Sequence, residues 1–95
     1  MFGFFTYPQK VHNRLYKLGW RPDTVPPISN IWLQLIHTLR KNGVSPDDAA
    51  TLLDGALQGD RASLRAVSGK AGLFGLMYFG NEETWDQHPE AFRRK

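Results

Sequence analysis

Along most of the chain, hydrophobic residues recur at helical rather than strand spacing. Val11, Leu15 and Leu18 stand three or four apart behind a start signal in which Thr6 can cap, Pro8 suits the first turn and Gln9 completes a capping-box spacing. This helix is predicted to stop at Gly19, where Trp20 falls at the position that touches Leu15 in a Schellman ending and Pro22 forbids continuation. Pro22, Pro26 and Pro27 push the stretch Arg21 to Ile28 toward extended backbone, which makes it a rigid connector. From Ser29 or Asn30 as cap, Ile31, Trp32, Leu33, Leu35, Ile36 and Leu39 cover a broad arc of a helical wheel, the pattern of a central, buried helix. It ends on the same grammar: Arg40 and Lys41 sit at the negative end of the helix dipole, Gly43 offers a left-handed residue, and Val44 can fold back on Leu39.

The third helix opens on Ser45, Pro46, Asp47 and Asp48, a capping box with proline at its first position, and places Ala49, Leu52, Leu53, Ala56 and Leu57 on one face. Gly59 and Asp60 then make a break and a new cap for a fourth helix carrying Leu64 and Val67, with Arg61 and Arg65 outside and Gly69 weakening its end. The apolar run Ala71 to Phe79 is interrupted by Gly72 and Gly75; periodicity leaves helix and buried strand both open for residues 70–80, and helix is favoured. Beyond Gly80, Asn81 caps a short turn holding Trp85, Pro89 breaks it, and Phe92 leads into a basic end, Arg93 to Lys95, that is expected to be loose.

The pattern therefore predicts an all-α fold, a compact bundle of four to five short helices, with a short N-terminal strand at Met1 to Tyr7 left open. Its 95 residues make one helical domain spanning 1–95, since domains typically run to roughly 100–150 residues. With 41% hydrophobic and 22% charged residues the composition is that of a folding chain, not of a disordered one. Cysteine is absent, which excludes disulfide staples and thiolate metal sites and leans toward the cytoplasm. No run is long and apolar enough to span a bilayer, so no membrane span is expected. The net charge of +3 favours anionic partners only slightly.

Catalytic signatures are missing: neither GxxxxGK[ST], GxGxxG nor GxSxG occurs. His12, His37 and His88 are isolated in sequence and lack the close pairing of a helical zinc site, and His37, at the border of the central helix's apolar face, reads as a hydrogen-bonded structural histidine. Asp47 and Asp48 sit in a first helical turn, where negative charge is locally stabilised. No catalytic residue, metal ligand or cofactor is therefore expected. Asp47 to Val67 could pass for a DNA-reading helix-turn-helix, but the small-residue and glycine spacing of that motif is not met.

Two surface features remain. Phe2, Phe4, Phe5 and Tyr7 near the start, and Trp85 and Phe92 near the end, cannot bury their rings within their own secondary structure; they either fold over the bundle as flaps or form a patch for a protein partner or homo-oligomer. Lys10, Arg14 and Lys17, joined by Arg21 if the helix ran on, would form a stripe along the first helix that could follow a nucleic-acid backbone, unless it is simply a solvated face. The expectation is a small intracellular binding protein, a regulator or adaptor acting through protein contacts. Nucleic-acid binding through the stripe is the alternative, and an unrecognised small enzyme comes third.

Overall fold

Side-chain caps set where four of the five helices among the described residues begin, and glycines set where most of them end. The computed structural model describes residues 6–87 and 92–95, and in them α1 (Tyr7–Lys17), α2 (Asn30–Lys41), α3 (Pro46–Leu57), α4 (Arg61–Ala71) and α5 (Leu73–Phe79), with no strand among the described residues. Of the segment left open as a strand, residues 1–5 lie outside the described residues and Tyr7 is the first residue of α1. At the caps, Thr6 Oγ1 accepts from the Gln9 amide at 3.3 Å, Ser29 Oγ from Trp32 at 3.2 Å, Ser45 Oγ from Asp48 at 3.1 Å and Asp60 Oδ2 from Ser63 at 2.9 Å. Each supplies an acceptor to an amide that has no partner inside its helix. The Ser63 hydroxyl also donates to Asp60, and together these bonds hold the Asp60 carboxyl below its usual range.

The helix ends follow the predicted grammar. Gly19 and Gly43 adopt φ of 108° and 78°. Behind them the amides of Trp20 and Val44 return to the carbonyls of Leu15 and Leu39 at 3.0 and 3.1 Å, the six-to-one bond of a Schellman motif. Gly59 repeats the arrangement with φ 86° and Asp60 returning to Gly55 at 2.9 Å. A Cβ on Gly43 would meet nothing within 4 Å, so substitution there isolates the cost of the backbone conformation. Gly43→Ala is expected to lower stability by about 1 kcal/mol through positive φ alone, read from a chemical melt.

The helix predicted to weaken at Gly69 runs on to Ala71, and Gly72, with φ 58°, makes the break that separates α4 from α5. Residues 73–79 are helical. Gly75 lets α5 lie close on α4, for a Cβ there would come within 3.2 Å of both the Ser68 Cα and the Val67 carbonyl oxygen. The core gathers around α2, whose Trp32, Leu35, Ile36 and Leu39 are fully enclosed together with Val11, Leu15, Leu53, Leu64 and Val67. Val25 and Pro26 of the connector are also buried, following a turn in which the Arg21 amide donates to Thr24 Oγ1 at 2.8 Å.

The described part of the C-terminal end, expected to be loose, is docked. The Arg93 amide donates to the Leu57 carbonyl at 2.7 Å, the Lys95 ammonium reaches Asp54 at 3.0 Å, and Phe92 packs against the core. These polar partners, Leu57 and Asp54, both stand on α3. No helix among the described residues is long and apolar enough to cross a membrane.

Candidate functional site

The aromatic residues singled out in the sequence are used mostly inside. Trp85 is only 5% exposed; its indole Nε1 donates to the Gly80 carbonyl at 3.2 Å, and the Arg61 guanidinium lies 5.8 Å from its ring centroid. Phe92 packs on the core, and Tyr7 is half-buried with its hydroxyl donating to the Val44 carbonyl at 2.7 Å. Burial pushes the Tyr7 phenol up, against the Arg40 charge and with help from Asp48. Trp85 is thus buried and Tyr7 and Phe92 are partly covered, while Phe2, Phe4 and Phe5 lie outside the described residues.

The basic stripe is divided. Arg14 is held by the Asp47 carboxylate and also donates to the Lys10 carbonyl at 3.3 Å, and Arg21 pairs with Asp23 at 3.3 Å. Lys10 and Lys17 enter no ion pair among the described residues. Lys10 instead meets a second helix: it lines a cavity of about 520 Å³ together with Thr6, Tyr7, Pro8, His37, Arg40 and Pro46. At the other end of α1, the Lys95 side chain passes Gly19, but its charge is answered by Asp54.

Histidine roles differ from expectation. The structural histidine is His12, 6% exposed, not His37. A carbonyl can only accept and an indole N–H can only donate. His12 Nδ1 lies 2.7 Å from the Pro8 carbonyl and Nε2 lies 3.0 Å from Trp32 Nε1, so Nδ1 carries the proton and Nε2 accepts. The signal was present in the spacing, because residues 8, 11, 12 and 15 share one helical face. His37 is half-exposed at the cavity. No group of three His, Cys, Asp or Glu placed to hold a metal occurs among the described residues.

A feature that sequence reasoning missed lies on α5. Its sequence, LFGLMYF, is apolar on every side. Phe74, Tyr78 and Phe79 pack toward the core, and the Tyr78 ring lies 5.1 Å from that of Trp32. On the other side Leu73, Met77 and Leu76 are 66%, 52% and 44% exposed. Residues three and four apart form one stripe of a helix, so these three side chains make a single apolar face. No family model matches the chain, and no match was found to a curated protein or to a solved structure.

Proposed function

We propose that this domain is a small regulator or adaptor that binds a short segment of another protein through the uncovered face of α5. The observation that supports this reading is a helix apolar all round and covered on one side only. A helix of that composition is ordinarily enclosed, and grouped apolar side chains left in water characteristically mark interaction sites. Leu73, Leu76 and Met77 together expose on the order of 300 Å². A stable pairing of two globular surfaces needs roughly 800 Å² from each partner. The face is therefore too small for a lasting homodimer and suits an amphipathic segment laid against it, recognised by a few apolar anchors. Burying such a face and its counterpart contributes roughly 15 kcal/mol before association costs of roughly 4–15 kcal/mol, so the contact is reversible. A chain without cysteine is suited to forming it in a reducing cytoplasm. A nucleic-acid track along α1 draws less support, because Arg14 and Arg21 are already answered by Asp47 and Asp23.

Photo-crosslinking in the native cell tests the proposal. A crosslinking residue at position 77 is expected to give an adduct of one defined mass with a different chain. The same residue at exposed Lys17 should not give that adduct, and Leu73→Asp should abolish it without changing the circular dichroism spectrum or melting temperature. Adducts with the domain's own mass alone, no adduct from position 77, or an identical adduct from position 17 would each refute it.

A further inference from the structure

We propose that the cavity where α1, α2 and α3 meet is a binding site for a small organic phosphate, independent of the partner face on α5. Two helices converge on it with charge of one sign: Lys10 comes from α1, and Arg40 and His37, three residues apart on the same side of α2, come from the other wall. Among the described residues no carboxylate lines it. Asp48 acts on the Tyr7 hydroxyl but lines the neighbouring cavity beside Asn42 and Lys70. Most arginines elsewhere are answered by acids, as Arg14, Arg21, Arg61 and Arg65 are by Asp47, Asp23, Asp86 and Glu82, whereas Lys10 and Arg40 enter no ion pair among the described residues. Two cations and an imidazole around one hollow match the donor set of a phosphate, whose oxygens take charge-assisted hydrogen bonds from several sides.

The remaining walls select the rest of the ligand. Pro8 and Pro46 occupy the first turns of α1 and α3, and proline has no N–H to donate. Those two positions therefore contribute ring surface, and charge-assisted recognition of the anion rests on Lys10, Arg40 and His37. The Tyr7 hydroxyl is already committed to Val44, so its ring adds apolar wall. At about 520 Å³ the space falls within the roughly 300–1,000 Å³ of small-molecule sites, which leaves room for an organic body beside the phosphate. A polynucleotide is disfavoured because the line of positive charge leading away along α1 is interrupted where Asp47 meets Arg14.

Nuclear magnetic resonance titrations of the full chain with inorganic phosphate, adenosine monophosphate and a short oligothymidylate provide the test. The monophosphate is expected to shift the Lys10 amide and the His37 ring and to bind about tenfold more tightly than inorganic phosphate, reflecting the apolar walls. Lys10→Ala and Arg40→Gln should each weaken it by about tenfold, with Lys17→Ala unchanged and all three variants giving the native spectrum elsewhere. Equal shifts at Lys17 and Lys41, no saturation at millimolar monophosphate, or equal affinity for inorganic phosphate would overturn the proposal. So would tighter binding of the oligothymidylate that is lost on removing Lys17, which would mark a nucleic-acid track instead.

Discussion

Leu35→Ala and Leu39→Ala are each expected to lower the unfolding free energy by roughly 2–5 kcal/mol, whereas Gln34→Ala should change it by no more than about 0.5 kcal/mol. Both leucines are fully enclosed and Gln34 is exposed. Truncation at the enclosed sites removes transfer free energy and leaves a cavity in the densest part of the bundle, with α2 unable to collapse into it because it is packed by the other helices. A domain of this size has a total stability of roughly 5–15 kcal/mol, so the larger losses would leave a substantial unfolded fraction at 37 °C. Urea unfolding at 25 °C is the measurement. Equal effects at positions 34 and 35 would show that α2 does not present this face to the core.

Trp32→Ala is expected to cost more than any other single truncation in the core, roughly 3–5 kcal/mol. The indole is fully enclosed, its ring contacts those of His12 and Tyr78, and its N–H donates to His12 Nε2. The polar part is separable by a double-mutant cycle. His12→Leu leaves the Trp32 N–H buried without an acceptor, which costs roughly 1–3 kcal/mol. The Pro8 carbonyl is less affected, because in a helix it also accepts from the amide four residues on. With Trp32→Phe already in place the donor is gone, so adding His12→Leu should cost less, a coupling of about 0.5–3 kcal/mol. Additive losses in the cycle would mean that the hydrogen bond contributes nothing beyond packing.

What the sequence made legible was chiefly local. Ser45-Pro46, Gly19-Trp20 and Gly43-Val44 each carry within a few residues everything their caps require, so those helix ends could be read without knowledge of the rest of the chain. The core face of α2 was equally plain, since Gln34 and Thr38 mark its outside with polar groups. In α5 that marker is missing: LFGLMYF has no polar side to show which way it turns, and its rotation is set by tertiary contacts, the approach of Gly75 to α4 and of Tyr78 to Trp32. The burial of Trp85 depends on the Gly80 carbonyl and Arg61 being brought beside it. The meeting of Lys10 with His37 and Arg40 joins helices separated by the proline connector, and a charge stripe read along one helix has no means of showing its neighbours across a helix junction. His12 was legible in principle, since it shares one helical face with Val11 and Leu15.

Asp54 gathers three donors on one carboxylate oxygen: Trp20 Nε1 at 2.8 Å, Gln58 Nε2 at 3.0 Å and Lys95 Nζ at 3.0 Å. An acceptor so oversupplied is redundant. If Lys95 lifts away, the carboxylate remains hydrogen-bonded to the indole and the amide, so no buried polar group is abandoned and little desolvation cost opposes the motion. The ion pair itself is partly exposed and worth little. The Lys95 side chain is thereby built as a latch that opens and recloses while Arg93 and Phe92 stay docked on α3 and the core.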